Sequence, residues 1–380
     1  MRIAIIGAGP AGSLSAQLFA GAGHEVKLFE RKPGREKACG GGFTARALQT
    51  CPLPGSGIPR NSIAELELIR GSRSTVLRLD APFHVYARAH CDSYLMDRAI
   101  EAGASLQRLN VTEVRRVSPG WEVIAGNKSF RVDWLVGADG SHSRVRTACS
   151  EPLELADLSM TFGYYLPGQY HPGRAVVALL PRYFEGYLWS FPRTEHSSVG
   201  VINTARHSES KTLRKYVDNF LDSYYHLPPP AKDKIYGALV PTLREATLRY
   251  NRCAGEDWAL IGDAGGFVDS ITGEGIYFSL RSAQLLSEVA TGSSLKKFDE
   301  VWRDDFGDEL VRSARLKRRF YCGRRWYPSY AEMLIPITRR SATARKIERD
   351  YIAGRQGYVG LKHRILRAGP RIIAELLIGN

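Results

Sequence analysis

Long hydrophobic runs and regularly spaced cysteine pairs are missing from this 380-residue sequence. No stretch of about 18 apolar residues is present, so we predict no membrane-spanning helix. The N-terminal residues MRIAIIGAGPAG contain no basic region, apolar core or small-residue cleavage site, which argues against a signal peptide. The six cysteines show no CxxC spacing, and the nine histidines show no paired spacing such as HExxH. These absences predict a cytoplasmic protein with reduced thiols, no disulfide framework and no metal site.

Acidic residues are scarce in the last fifth of the chain. From residue 312 to residue 380, seventeen lysines and arginines are set against four acidic residues, a net charge of +13. The remaining 36 basic and 35 acidic residues nearly cancel. Such a block indicates an anionic partner surface, either a membrane or a nucleic acid; the alternative is a solvated basic helical tail.

A glycine pattern near the N-terminus predicts a dinucleotide site. A GxGxxG sequence, Gly7-Ala8-Gly9-Pro10-Ala11-Gly12, separates a predicted strand at 2–6 from a predicted helix at 10–22. In this motif the first glycine permits the tight turn, the second lets a pyrophosphate approach, and the third lets helix and strand pack closely.

An acidic residue stands where such a site needs one. Glu30 ends the second predicted strand, at 25–30, and is followed by Arg31. A carboxylate at this position can hold ribose hydroxyls. The alternative is a glycine-rich turn beside a surface glutamate. We predict dinucleotide binding that involves Gly7, Gly9, Ala11, Gly12, Glu30 and Arg31.

Two later motifs resemble those of FAD-dependent hydroxylase-like proteins. VGADGS at 136–141 is similar to their second fingerprint, and LIGDAGG at 260–266 to their third. The resemblance implies that Asp139, Gly140 and Asp263 bind FAD, with Arg88 near the flavin phosphates. No second GxGxxG follows a later strand, so electrons are expected from transiently bound NADPH or from a reduced carrier protein.

The distribution of elements predicts an α/β protein. A Rossmann-like FAD-binding domain is predicted for residues 1–150 and 251–295. Short aromatic-rich strands with Pro and Gly turns predict an inserted antiparallel-sheet substrate domain at 151–250, with one helix near 211–224. Residues 296–380 are predicted to form a basic, mostly helical C-terminal region.

The substrate side resembles one subfamily in particular. YLWSFP at 187–192, followed by Gly200, is similar to the YxWxFP…G pattern of geranylgeranyl reductases, as are DSITGEGI at 269–276 and KACGGG at 37–42. These segments, with the FAD motifs, extend the resemblance over roughly residues 1–290. The residues that the resemblance places around the flavin ring are Cys39, Gly40, Gly41, Gly273, Gly275 and Ile276.

Cys39 precedes three consecutive glycines, which suggests that something passes close to the backbone there. Our hypothesis is that the flavin lies against the glycines and that the thiol supplies a proton during alkene reduction. Adding a hydride to one carbon of an isolated double bond requires a proton for the other carbon, and a thiol, which is mostly protonated near neutrality, can supply it. The alternative is a small buried residue packed against the flavin.

Tyr187, Trp189 and Phe191 alternate at strand spacing, so their side chains are predicted to share one face. They form either an aromatic wall for an apolar chain or ordinary core aromatics. We predict Cys39, Tyr187 and Trp189 as the catalytic, substrate-side residues.

The basic tail combines arginines with Trp326 and Tyr327 and ends in an apolar stretch at 372–378. For a reductase of prenyl lipids this favours docking on an anionic membrane at its cytoplasmic face, and we predict no nucleic-acid partner.

Together these features predict an FAD-dependent reductase that saturates double bonds of a prenyl chain on a lipid, quinone or diphosphate. One rival is a flavin monooxygenase acting through a C4a-hydroperoxide, and a weaker one is a flavin halogenase, whose WxWxIP pattern is missing here. A non-catalytic flavoprotein that binds membranes or nucleic acid is the third. The identity of the alkene and the oligomeric state stay open.

Overall fold

The computed structural model describes residues 1–51, 57–290, 292, 294–323 and 326–378. The strands in this part of the chain are β1 (Arg2–Ile6), β2 (Glu25–Phe29), β3 (Gly42–Phe43), β4 (Arg60–Arg70), β5 (Arg73–Tyr86), β6 (Ser105–Gln107), β7 (Val111–Arg116), β8 (Trp121–Ala125), β9 (Lys128–Val132), β10 (Trp134–Gly137), β11 (Ser159–Pro167), β12 (Arg174–Leu179), β13 (Tyr187–Pro192), β14 (His196–Thr204), β15 (Ile235–Val240) and β16 (Trp258–Leu260). The α-helices are α1 (Pro10–Gly21), α2 (Ala45–Thr50), α3 (Arg88–Glu101), α4 (Arg144–Cys149), α5 (Ser210–Phe220), α6 (Glu245–Tyr250), α7 (Ile276–Val289), α8 (Phe298–Trp302), α9 (Asp308–Tyr321), α10 (Tyr330–Arg340), α11 (Ala342–Ile352) and α12 (Leu361–Ile378).

A parallel sheet carries the predicted dinucleotide motif. Its strand order is β16-β10-β1-β2-β6, and every pairing in it is parallel. The near-continuous apolar sequence of β1 fits a strand covered on both faces, and four of its five residues are buried. Helices α1 and α7 contact each other beside this sheet. The Rossmann-like α/β arrangement predicted from the sequence is confirmed.

The second sheet has the strand order β15-β11-β14-β13-β12-β4-β5-β3. Its pairs are antiparallel except β12 with β4, which run parallel with Val177 opposite Leu68. The sheet is therefore mixed, and it draws strands from 42–86 as well as from 151–250. The predicted domain boundaries stay a prediction. The hydrogen bonds between β12 and β4 join residues on either side of the boundary predicted at residue 150. A three-stranded antiparallel sheet, β7-β8-β9, completes the strands.

The C-terminal region is helical from α8 to α12, as predicted. Helix α10 begins with a capping box, in which the Ser329 hydroxyl accepts from the Glu332 amide and the Glu332 carboxylate accepts from the Ser329 amide. Helix α12 has no buried residue. Among the described residues, no helix combines the length and the apolar character needed to cross a bilayer.

Candidate active site

One continuous cavity of about 1930 Å³ runs from the glycine turn after β1 to the C-terminal helices. It is bounded by the parallel sheet, by the mixed sheet and by residues of α9 to α12. Ligand pockets usually measure about 300–1000 Å³, so this one has room for a large cofactor and a second molecule.

The glycine turn has the geometry that a dinucleotide requires. Gly7 has a φ of +101°, and a Cβ on Gly12 would lie 1.8 Å from the Gly7 carbonyl oxygen. Gly7, Gly9 and Ala11 line the cavity. Helix α1 starts at Pro10 with no side chain capping its first turn, so its free amides and positive dipole end are available to a phosphate.

Glu30 lies beside this turn, at the end of β2, and lines the cavity together with Arg31. Its carboxylate accepts hydrogen bonds from the amides of Ala8 (3.2 Å) and Lys32 (3.0 Å). Each oxygen keeps a lone pair that can accept from a ribose hydroxyl.

The two aspartates from the later fingerprints have different surroundings. Asp139 caps the start of α4, where it accepts from the Ser143 hydroxyl (2.5 Å) and the Arg144 amide (2.7 Å). Asp263 lines the cavity, and its carboxylate hydrogen-bonds to no group in the described part of the chain. Burial raises the pKa of both carboxyl groups. An unsatisfied carboxylate facing a cavity fits a hydroxylated ligand such as the ribityl chain.

Arg88 begins α3 and lines the cavity, but its guanidinium is already paired. Its Nε and Nη2 atoms each donate to the Asp92 carboxylate at 2.8 Å, and Lys37 Nζ lies 3.8 Å from the same carboxylate. The side chain is therefore held in place, and its three remaining N–H groups, on Nη1 and Nη2, are the donors that can bind a flavin phosphate.

The three glycines after Cys39 have a packing reason that the sequence did not reveal. A Cβ on Gly40 would lie 2.8 Å from the Phe191 ring, and one on Gly41, whose φ is +83°, would lie 2.3 Å from the Tyr86 carbonyl oxygen. The bare backbone is thus pressed against β13 and β5. All three glycines line the cavity as well, so the hypothesis that a flavin approaches them remains a prediction.

A fully buried arginine fixes this loop, and sequence reasoning missed it. Arg193 donates through Nη1 to the Glu36 carboxylate and to His196 Nε2 (3.0 Å), and through Nη2 to the Cys39 carbonyl oxygen. Ser198 donates to the same carbonyl at 2.9 Å. Glu36 also accepts from the first amides of α3, so this cluster joins the loop to that helix. Nothing in the local sequence marks an arginine after a strand as buried.

The aromatic residues of β13 lie on one face, as their spacing predicted. Tyr187, Trp189 and Phe191 all line the cavity, and the first two rings are 6.0 Å apart. The Tyr187 hydroxyl donates to the Thr272 carbonyl oxygen, and burial raises its pKa. The wall therefore joins β13 to the segment that carries Gly273, Gly275 and Ile276, all of which line the same cavity.

Tyrosines of the C-terminal region hold that same segment from the other side. Tyr321 donates to the Ile271 carbonyl oxygen (2.6 Å), while Tyr358 and Tyr351 donate to the Asp269 carboxylate (3.2 and 3.4 Å). The apolar part of the cavity is lined largely by this region and by the mixed sheet, through residues that include Leu66, Val177, Leu179, Phe320, Leu334 and Ile352. From the sequence we predicted a membrane role for the C-terminal region but no place in the site.

Glu348 of α11 is an acidic residue in this apolar wall. Its Oε1 accepts from the Thr338 hydroxyl (2.7 Å), but its Oε2 is buried without a partner. Burial raises the pKa of Glu348 to about 7. The folded protein therefore binds a proton here that the unfolded chain releases near pH 4.5.

We expect Glu348→Gln to change the pH dependence of stability. In the wild type, the contribution of the protonated carboxyl is complete below about pH 4.5 and is lost as pH rises through about 7. The variant should lack this loss and gain about 3 kcal/mol relative to wild type above pH 7. Urea unfolding at pH 5 and pH 8 measures the free energy of unfolding of both proteins. The same change with pH in wild type and variant would contradict the prediction.

The dinucleotide end of the cavity has the groups that FAD would need. A glycine turn, a helix N-terminus without a side-chain cap, the Glu30 carboxylate and the Asp263 carboxylate all lie along its wall. In the described part of the chain no group of three or more His, Cys, Asp or Glu side chains is placed to hold a metal ion.

Comparisons with known proteins agree with this arrangement. The family described as an FAD binding domain matches residues 1–212. The digeranylgeranylglycerophospholipid reductase 1 of Methanopyrus kandleri is 32% identical, over 80% of this chain and 87% of that protein. The chloroplastic geranylgeranyl diphosphate reductase of Arabidopsis thaliana is 27% identical, over 80% and 70%. Among solved structures, a geranylgeranyl bacteriochlorophyll reductase-like protein from Thermoplasma acidophilum matches with a TM-score of 0.76 and 20% identity, over 99% of this chain and 98% of that one. The structural match supports the fold.

Proposed function

Because the chain belongs to the geranylgeranyl reductase family of FAD-dependent oxidoreductases, we propose that it saturates double bonds of a prenyl chain. The observation that carries this proposal is the continuous cavity, which passes from the dinucleotide end, past Cys39, into an apolar chamber. A long apolar substrate placed in that chamber would have its double bonds beside the flavin position.

FAD would be held by the residues that the motifs single out. Those residues are Gly7, Gly9, Ala11, Gly12, Glu30, Arg31, Arg88, Asp139, Gly140 and Asp263 along the dinucleotide, and Cys39, Gly40, Gly41, Gly273, Gly275 and Ile276 around the ring. When bound and reduced, FAD supplies the hydride. We propose that the reducing equivalents reach it from NADPH that binds transiently or from a reduced carrier protein.

The protein's own contribution is orientation, exclusion of water and a proton. Tyr187 and Trp189 form an apolar wall that orients the chain, and the packed tyrosines of the C-terminal region keep water from the chamber. Cys39 Sγ accepts from the Gly41 amide at 3.2 Å and lines the cavity. We propose that this thiol protonates one carbon of the double bond, so that the neighbouring carbon becomes electron-poor and accepts the hydride, and two hydrogens are added across the bond.

We expect Cys39→Ser to lower the maximal rate of alkene reduction by about a hundredfold, because general acid catalysis typically contributes about 10²–10⁴. FAD content should be unchanged. Cys149→Ser is the matched control, since this partly exposed thiol lies outside the cavity lining. Full turnover in the Cys39 variant would leave the thiol only a packing role.

The test of the proposed function is anaerobic reoxidation. Purified enzyme with its flavin chemically reduced is mixed with geranylgeranyl diphosphate, and flavin absorbance is followed without oxygen. Reoxidation that depends on the substrate supports a reductase. A flavin that stays reduced until air is admitted supports the rival monooxygenase.

We further propose that the C-terminal region docks the protein on an anionic membrane surface, at the cytoplasmic face. Helix α12 carries exposed apolar side chains, with Leu366 at 63%, Leu377 at 74% and Ile378 at 82% exposure, next to its arginines. Trp326 is 82% exposed. Amphipathic helices and interfacial aromatics of this composition bind headgroup regions, and each basic residue near an anionic surface adds about 1 kcal/mol. No nucleic-acid partner is proposed.

We expect the protein to sediment with phosphatidylglycerol vesicles at low salt and to be released as salt increases. Leu377→Glu should weaken this binding by about tenfold or more, since it removes an exposed apolar side chain that would enter the membrane and adds an unfavourable charge. Leu155→Glu, at a site 56% exposed outside the C-terminal region, should have little effect. Absence of sedimentation at low salt would contradict membrane docking.

A further inference from the structure

Helix α9 presents a row of arginines to the cavity. Arg312, Arg315 and Arg319 are spaced i, i+3 and i+7, and all three line the cavity, as does Lys362 at the start of α12. The Arg312 and Arg315 side chains are 43% and 55% exposed, and Arg319 and Lys362 are exposed as well. The cavity therefore meets solvent at this cationic rim, which we define as Arg312, Arg319 and Lys362.

Most of the charge on the rim is not neutralised by the protein. Arg315 is bound to Glu245, with contacts of 2.7 and 3.0 Å, and for this reason is not counted in the rim. Arg312 has only an exposed contact of 3.8 Å to Asp308. Arg319 and Lys362 have no ion-pair partner in the part of the chain that the structure describes.

Glu309, the acid of α9 that lines the cavity, is also already engaged. Both carboxylate oxygens of Glu309 accept backbone hydrogen bonds, from the amides of Tyr358 (2.6 Å) and Val359 (2.8 Å). It therefore fixes the turn before α12, and it leaves the three cations of the rim free to bind an anion.

The rim lies directly beside the apolar wall of the cavity. Leu316 and Phe320 of α9 and Leu361 of α12 pack into one hydrophobic cluster with Tyr321 and Tyr358. Along each helix, the neighbouring positions on the cavity side are cationic: Arg319 precedes Phe320, and Lys362 follows Leu361. The wall thus changes from apolar to cationic within about one helical turn, a distance of about 5 Å.

We infer that the rim is a headgroup subsite for a phosphate-class anion carried by the prenyl substrate, an inference that rests on the proposed function. An amphiphile whose apolar chain fills the chamber would place its polar end at this boundary. Guanidinium groups match phosphate oxygens with paired hydrogen bonds, whereas a neutral quinone or alcohol head would gain nothing from three cations.

Binding to the oxidised holoenzyme tests this without turnover. Calorimetric titration compares geranylgeranyl diphosphate with geranylgeraniol, which has the same chain and an uncharged head. In wild type the diphosphate should bind at least tenfold more tightly, and rising salt should reduce that advantage. In the double variant Arg312→Ala/Arg319→Ala, the affinity for the diphosphate should fall by about tenfold or more, and the affinity for the alcohol should be unchanged.

Arg318→Ala is the matched control, because Arg318 is exposed on the same helix but does not line the cavity. The inference would be overturned if the double variant lost affinity equally for the diphosphate and the alcohol. It would also be overturned if Arg318→Ala lost as much affinity for the diphosphate as the double variant. Tight diphosphate binding that depends on the rim, in an enzyme that reduces no alkene, would uphold the subsite and refute the proposed function.

Two further probes separate the sources of the anion, and both are titrated into the same variants. The first probe is a digeranylgeranyl glycerophosphate lipid in detergent micelles. If its affinity falls in the rim variants as much as that of the diphosphate, the rim binds a lipid headgroup. Inorganic pyrophosphate that displaces geranylgeranyl diphosphate indicates a site for the free diphosphate group. Binding of neither anion to the rim would overturn the inference.

Discussion

Replacing Gly12 by alanine should abolish tight FAD binding. The added Cβ would lie 1.8 Å from the Gly7 carbonyl oxygen and 3.1 Å from the Ala138 Cβ, so α1 must move away from β1. Overpacking of this kind costs about 1–3 kcal/mol, and here the cost falls on the turn that would hold the pyrophosphate. The dissociation constant for FAD should rise by about a hundredfold, measured by titrating FAD into apoenzyme and following flavin fluorescence.

Gly21→Ala provides the matched control for this prediction. Gly21 is the last residue of the same helix, and a Cβ there meets nothing within 4 Å. This variant should bind FAD as wild type does. Circular dichroism of both apoproteins separates a local loss of binding from a failure to fold. Wild-type affinity in a folded Gly12 variant would contradict the placement of the dinucleotide at this turn.

Replacing Arg193 by alanine should cause the largest loss of stability of the substitutions considered. The side chain is fully buried and pairs with Glu36, and removing one partner of a buried pair costs about 3–5 kcal/mol because the other charge is left uncompensated. The Cys39 carbonyl oxygen would lose one of its two donors, so alkene reduction should fall as well. Urea unfolding and the anaerobic rate measure the two effects.

A second arginine-carboxylate pair gives the comparison for Arg193. Arg98 binds Glu101 at 2.8 Å on the surface of α3, with 47% and 63% of the two side chains exposed. Arg98→Ala should cost less than about 1 kcal/mol. The double variant Arg193→Ala/Glu36→Ala should lose less stability than the two single changes predict by addition. Equal effects at Arg193 and Arg98 would refute the structural role of the buried pair.

The structural features predicted correctly from the sequence are those that depend only on neighbouring residues in the chain. The turn from Gly7 to Gly12 was predicted from an apolar strand, a glycine motif and a helix within one short segment. The structure contains this turn between β1 and α1. Strand alternation alone put Tyr187, Trp189 and Phe191 on one face. Such local rules need no knowledge of what packs against the segment.

The features that were missed depend on partners far away in the chain. Arg193 is buried because Glu36, 157 residues earlier, meets it. Phe191 explains the bare backbone at Gly40, and Tyr358 reaches Asp269 across 89 residues. The pairing of β12 with β4 likewise joins distant segments. No local periodicity encodes such contacts, and for this reason the C-terminal region was predicted as helical but not as a wall of the cavity.

The measurement that tests the central claim most directly is the mass of the product from a single anaerobic turnover. Enzyme with chemically reduced flavin is mixed with one equivalent of geranylgeranyl diphosphate, and the extracted chain is analysed by mass spectrometry. The account predicts a gain of two hydrogens for each double bond reduced, with no oxygen added. An unchanged chain without air, followed by a product that carries an added oxygen once air is admitted, would contradict it.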